Sequence, residues 1–129
     1  MDAVSRNPRP HSAALAAGAL AAALLAAGPA WSHAFPDHSE PRVGHTVDSP
    51  PAAVRIWFDG AVEPVFSTLR VEDDDKRRVD KGDARVNPSD NTVLEVSLPS
   101  LASGRYRVFW SVVARDGHRT EGNFTFRVK

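Results

Sequence analysis

The chain has no cysteine, and its one methionine is Met1. Without thiols there is no disulfide, no zinc finger, no iron–sulfur cluster and no thiol nucleophile. Without an internal methionine there is no thioether metal site either. An excess of either charge is also missing: 16 Lys and Arg stand against 16 Asp and Glu. That balance excludes a nucleic-acid binder that works by neutralising phosphates. Aromatic residues make up only 8%, but the 42% hydrophobic and 25% charged content is that of an ordinary globular chain. Collagen-like, mucin-like and wholly disordered classes are therefore excluded. With 129 residues there is room for one modest domain plus targeting.

What is present begins with an apolar run, Ala13 to Ala27, made only of Ala, Leu and Gly. It is too short for a membrane span, which needs ~20 residues. Arg6, Arg9 and His11 precede it, and Gly28-Pro29-Ala30-Trp31-Ser32 follows it. A basic start, an apolar middle and small residues at the end form an export signal, here 1–32, with an uncleaved anchor as the competing reading. Cleavage after Ser32 makes His33 the first residue of a domain over 33–129. That domain has no disulfide and must be held by core packing alone, with a stability of ~5–15 kcal/mol.

Beyond residue 50 the apolar residues alternate with polar ones. The sets are Val54, Ile56 and Phe58; Thr92, Leu94, Val96 and Leu98; Tyr106, Val108, Trp110 and Val112; and Phe124, Phe126 and Val128. A period of two places each set on one face of a strand. Phe66–Glu72 is a further strand, Arg77–Asp80 and Ala84–Asn87 are weaker ones, and a short strand is expected near Val43–Val47. Turn residues separate the runs, as at Asp59-Gly60, Asn87-Pro88-Ser89-Asp90-Asn91 and Asp116-Gly117. Many short strands at regular spacing predict an all-β sandwich or small barrel. Trp57 and Phe109 fall on outer faces, so some strands should be covered on both sides. The acidic run Asp73–Asp75 lacks the spaced ligands of a calcium loop and reads as a solvated hairpin tip.

No nucleophile triad, phosphate loop or carboxylate pair is visible, so the chemistry falls to histidine and carboxylate. His33, His38, His45 and His118 lie in the expected domain. A histidine at a free amino terminus offers two nitrogens, the α-amine and imidazole Nδ1, which together close a six-membered chelate ring. Nitrogen donors in a planar arrangement favour Cu(II). Alternatively, His33 is simply the first disordered residue. In Asp116-Gly117-His118, an extended backbone would turn both side chains to one ion. Taken alone, the same residues read first as an ordinary Asp-Gly turn with a solvated histidine. Asp37-His38 lies near the terminus and could supply an extra ligand, but the expected role of His38 is an ordinary surface or packing one. His45 sits in the expected Val43–Val47 strand with a surface or packing role.

The sequence resembles the CopC family of periplasmic copper-binding proteins along 33–128. The matching residues are His33-Ala34, Ser39-Glu40-Pro41, Val54-Arg55-Ile56-Trp57-Phe58, Val62-Glu63-Pro64, Phe66-Ser67, Leu101-Ala102-Ser103-Gly104-Arg105-Tyr106, Trp110-Ser111-Val112-Val113, Asp116-Gly117-His118, Gly122 and Phe124-Thr125-Phe126. The resemblance implies a Greek-key β-sandwich of immunoglobulin-like or cupredoxin-like form. It also implies one Cu(II) per chain on His33, Asp116 and His118, a periplasmic location, and a CopD-type inner-membrane copper transporter as partner. Some relatives carry a methionine-rich Cu(I) loop, and this chain departs from them in having no methionine after the first. The expected role is a non-enzymatic Cu(II) protein in copper homeostasis, resistance or delivery, with no catalytic residue. Two other classes remain: a copper-dependent oxidative enzyme resembling polysaccharide monooxygenases, and a plain interaction sandwich without metal.

Overall fold

The described residues form eight strands, most of them from the alternating runs: β1 (Pro36–Glu40), β2 (Thr46–Val47), β3 (Ala53–Phe58), β4 (Thr68–Asp73), β5 (Arg85–Asn87), β6 (Asp90–Ser97), β7 (Gly104–Val113) and β8 (Arg119–Val128). The computed structural model describes residues 33–129, and the expected export signal, 1–32, lies outside the described residues. The only helical segment among the described residues is a short 3-10 turn, Pro64–Phe66. Two four-stranded sheets result, ordered β1-β3-β6-β5 and β2-β8-β7-β4. All pairings are antiparallel except that of β2 with β8.

Period-two alternation turns one face of each sheet inward. Val54, Ile56, Phe58, Leu94 and Val96 from the first sheet meet Leu69, Val71, Val108, Val112, Phe124, Phe126 and Val128 from the second in one buried cluster. Fully burying such a side chain contributes roughly 1.5–3 kcal/mol. The protein is thus an all-β, two-sheet sandwich. Gly122 lies opposite Trp110 in the β7–β8 register, and a Cβ there would come within 2.7 Å of the indole. The missing side chain lets Trp110 lie flat over β8 and meet Phe58 edge-on, at 5.5 Å between ring centroids.

Some expectations fail for identifiable reasons. The strand near Val43–Val47 shrinks to Thr46–Val47, because Val43 and Gly44 form a turn with Gly44 at φ +72°. His45 stands outside the strand and is exposed. Arg77–Asp80 makes a single bridge, Arg78 to Glu72, and no strand. Its carboxylate bends it inward instead: Asp80 accepts bonds from the Val71 and Gly82 N–H groups, both at 2.8 Å, and from Arg78. The segment Pro36–Glu40 pairs with β3 as a strand that alternation did not reveal, because only Ser39 of its five residues is buried. Trp57 and Phe109 are covered by side chains and not by another layer. His38 stacks on Trp57 at 4.4 Å, and the Arg70 guanidinium lies 4.2 Å from the centre of the Phe109 ring.

The outer face of the first sheet is organised around Glu95, whose side chain is 10% exposed. Arg55 donates to it at 3.1 Å, Arg85 at 3.0 Å and Asn87 at 3.3 Å. Burial alone would raise the pKa of this carboxyl, but the bonds from Arg55, Asn87 and Arg85 outweigh it and hold the group below the ordinary carboxylate range. A depressed carboxyl stabilises the fold above the unfolded-chain pKa of about 4.3, and this contribution is lost as pH falls through the lower folded value. Glu95→Gln is therefore expected to cost about 1–3 kcal/mol at pH 7. It should also flatten the loss of stability below about pH 4.3. Urea unfolding across pH 3–7, an interval bracketing that value, checks both.

Candidate metal centre

The β7–β8 hairpin ends in a tight connection that carries Asp116 and His118. The Ala114 N–H donates to the His118 carbonyl at 3.0 Å and the Gly117 N–H to the Ala114 carbonyl at 2.9 Å, leaving Arg115, Asp116 and Gly117 as the loop. Gly117 has φ +86°, the left-handed conformation that closes three-residue hairpin loops and that glycine adopts without strain. The loop is anchored from the side by a bridge between Val62 and Ala114 and by the Glu63 N–H donating to the Val113 carbonyl at 2.8 Å.

Asp116 and His118 do share a direction, but not through the extended backbone expected from their spacing. The turn itself brings them together. Asp116 Oδ1 accepts the His118 backbone N–H at 3.0 Å, a local bond typical of aspartate in turns. This leaves Oδ2 facing the imidazoles, 3.2 Å from His118 Nδ1 and 3.8 Å from His33 Nδ1. Although the residue as a whole is exposed, its side chain is only 21% accessible, because the backbone of the turn takes the solvent side. The Asp116 carboxyl lies below the ordinary carboxylate range. The His118 backbone N–H is the main cause, partial burial opposes it, and the His118 and His33 side chains add to it. The group is held as an anion aimed at two imidazoles.

His33 reaches the loop because the two residues after it are clamped. Ala34 is fully buried, and its carbonyl accepts the Thr120 hydroxyl at 2.7 Å. The Phe35 N–H donates to Asp59 Oδ1 at 2.7 Å, and the Asp59 N–H returns a bond to the Phe35 carbonyl at 2.9 Å. Strand β1 then begins at Pro36, opposite Phe58. A segment expected to be either chelating or disordered is thus tied to both sheets. The His33 and His118 rings meet edge to face, with centroids 4.7 Å apart. His33, Asp116 and His118 each offer one donor atom, all within 4.8 Å of one another.

Neither His38 nor His45 joins this group. His38 Nδ1 lies 2.9 Å from its neighbour Asp37, and its ring is stacked on Trp57 on the outer face of the first sheet. His45 lies in the loop before β2, its carbonyl accepting the Arg127 N–H at 2.9 Å. Thr120 was not singled out in the sequence, and Asp59 and Ala34 were named only as a turn residue and as part of the family resemblance, not as the residues that place His33. Nothing local marks a threonine on β8 as the partner of a carbonyl 86 residues away.

The donor set of two imidazoles and one carboxylate suits Cu(II), whose affinity heads the divalent series for nitrogen and oxygen sites. Comparison with known proteins points the same way. The CopC domain family model matches residues 37–129, a range holding Asp116 and His118 and starting four residues after His33. Protein YobA of Escherichia coli strain K12 is 36% identical over 100 residues, covering 77% of this chain and 81% of YobA. Copper transport protein CutJ of Bacillus subtilis is 29% identical over 99 residues, covering 76% of this chain but only 18% of CutJ. Among solved structures, CopC from Methylosinus trichosporium OB3b is 32% identical with a TM-score of 0.70, covering 75% of this chain and 94% of that one. PcoC, a methionine-rich copper resistance protein from Escherichia coli, is 27% identical with a TM-score of 0.64, covering 76% of this chain and all of PcoC. CutJ is a copper transport protein and PcoC a copper resistance protein, and on the family-model match over 37–129 the chain belongs to the CopC family.

Proposed function

We propose that the protein is an exported Cu(II)-binding protein of the periplasm, holding one ion on His33, Asp116 and His118 and acting in copper homeostasis, resistance or delivery. The observation that carries this reading is the convergence of those three side chains at one end of the sandwich, within 4.8 Å of one another. Copper is the cargo. His33 supplies imidazole Nδ1 and, once residues 1–32 are removed, its α-amine. Asp116 Oδ2 supplies the anion and His118 the second imidazole. His33 Nδ1 is the ring nitrogen closest to Asp116, and it is also the one whose chelate ring with the α-amine is six-membered. The charged carboxylate favours Cu(II) over Cu(I), and the chain has no thioether beyond Met1 to hold the softer ion. PcoC is methionine-rich whereas this chain has no methionine after Met1, which fits a Cu(II)-only version of the family's task. A CopD-type transporter of the inner membrane is the proposed partner in delivery. The match to a segment of the copper transport protein CutJ supports that pairing.

Copper titration of the exported protein, with its amino terminus fixed by mass spectrometry, tests this reading. One Cu(II) should bind, and Asp116→Ala and His118→Ala should each weaken it by more than about tenfold, the least cost of disturbing even an outer partner of a metal. His45→Ala should leave the affinity unchanged. Placing Gly-Ser before His33 keeps every side chain but turns the amine into an amide, so affinity should fall and the electron paramagnetic resonance spectrum should change. Unaltered affinity and spectrum in that variant would remove the terminal chelate from the site.

The pH dependence follows from the donors. Asp116 is already held as an anion, so protons compete with copper at the amine and the imidazoles. Amines and imidazoles titrate near 7.7 and 6.5 in model peptides, so affinity should weaken progressively below about pH 7–8. An affinity flat between about pH 5 and 8 contradicts this donor set.

Thr120 offers no metal donor in this scheme, yet it fixes the Ala34 carbonyl. Thr120→Val should lower stability by about 1 kcal/mol. It should also weaken Cu(II) binding by about tenfold and speed amide exchange at Phe35, whereas Thr120→Ser should restore both. Exchange followed by NMR separates this positioning role from a loss of fold.

A further inference from the structure

The two outer faces of the sandwich differ in how they handle charge. On the first sheet the guanidiniums of Arg55 and Arg85 converge on the carboxylate of Glu95. On the second sheet Arg70, Arg105, Arg107, Arg119 and Arg127 occupy outward positions, alternating with buried Leu69, Val71, Tyr106, Val108, Phe126 and Val128. Glu72 and Glu121 are the acids at outward strand positions on that face, leaving an excess of three cations. The rest of 33–129 has nine Lys and Arg against thirteen Asp and Glu, so the charge is strongly segregated.

Local pairing relieves this segregation only in part, and Glu72 also lies opposite Arg107 in the β4–β7 register. Arg70 pairs with Glu72 at 3.1 Å, and Arg105 reaches Asp74 at 2.9 Å. Arg107 donates only to the Asn123 amide oxygen and Arg119 only to the Ser111 hydroxyl. Among the described residues no carboxylate pairs with Arg107, Arg119 or Arg127. Arg105 and Arg127 are direct cross-strand partners, and like charges so placed destabilise a sheet. The cations are spread over the face: Arg105, Arg107 and Arg127 lie at one end of β7 and β8, Arg70 lies beside Phe109, and Arg119 stands eight residues from Arg127, about 27 Å at ~3.4 Å per residue.

We propose that this face is a docking surface for an anionic phospholipid bilayer. All five cations are arginine, whose planar fork takes phosphate oxygens in pairs. Arg105 and Arg107 line one hollow with Glu72, Asp73 and Asp74, but Arg70, Arg119 and Arg127 lie outside it on the open sheet, so the set matches a plane of many equivalent phosphates better than a single acidic peptide. Arg119 directly follows His118, so the bound protein lies with the His33–Asp116–His118 end at the rim of the contact. The inference goes beyond copper binding and does not rest on it.

The test uses copper-free protein isolated after expression of the full-length chain. Cosedimentation is measured with vesicles of phosphatidylglycerol mixed with phosphatidylcholine, and with phosphatidylcholine alone. Binding is expected only to the phosphatidylglycerol vesicles, and it should be released as salt rises from ~0.05 to ~0.5 M. Arg107→Gln and Arg127→Gln should each lower the partition about fivefold, the worth of one basic residue near an anionic surface. Arg127→Lys should keep most of the binding. Lys81→Gln removes the same charge beside β6 of the other sheet and should leave binding unchanged. Equal binding to both vesicles overturns the proposal, as does no binding at low salt, or an effect of Lys81→Gln equal to that of the arginine variants. Capture of soluble polyglutamate in preference to the vesicles would assign the face to an acidic polypeptide and overturn it as well.

Discussion

The arrangement of this protein's histidines depends on how one end of the described chain is pinned. A residue at the edge of a domain ordinarily has too few neighbours to offset the entropy of holding it still. Here Ala34 is buried, its carbonyl is bonded to Thr120 of β8, and Phe35 donates its N–H to the Asp59 carboxylate and accepts the Asp59 N–H at its carbonyl just after β3. The clamp therefore draws on both sheets. It sets His33 above a hairpin loop whose own shape is fixed by Gly117 and by the bond from the His118 N–H to Asp116. Thr120 is two residues beyond His118, so one short stretch of β8 both carries an imidazole and holds the segment that brings the other.

Asp116 divides its two oxygens between structure and chemistry. One closes the turn, and the other faces His33 and His118. The same bond from the His118 N–H that shapes the loop is the main cause of the depressed carboxyl pKa. The shape of the loop and the depressed carboxyl of the proposed ligand thus rest mainly on one interaction. The outer faces of the two sheets follow different rules. Glu95 gathers Arg55 and Arg85 on the first sheet, whereas on the second Arg107, Arg119 and Arg127 face outward without a carboxylate ion pair among the described residues.

Where alternation was strong, as in Val54–Phe58, Tyr106–Val112 and Phe124–Val128, the strands and their buried faces were legible in the sequence, because a half-buried strand must alternate. Pro36–Glu40 was missed because an edge strand with one buried residue carries no such signal. Val43–Val47 was overread because alternation over so short a stretch does not outweigh a glycine in a left-handed turn. Asp116 and His118 were legible as a pair by spacing, yet the mechanism that joins them is a side-chain bond inside a turn and not strand alternation. His33 was legible as a chemical oddity, but its clamp was not, since Thr120 and Asp59 are distant in sequence and chemically unremarkable.

The sequence by itself determined the all-β class, the donor types available to a metal, and the absence of sulfur ligands beyond Met1. These are properties of composition and short-range pattern, and they survive any rearrangement of the chain. Only the tertiary structure decided that His33 meets Asp116 and His118 while His38 stacks on Trp57 and His45 stays in its loop. It also decided that five arginines scattered over three strands share one face. The reason in both cases is register. Which residues of separate strands become neighbours is fixed by the pairing of whole sheets, and that depends on the packing of the entire core and not on any local run.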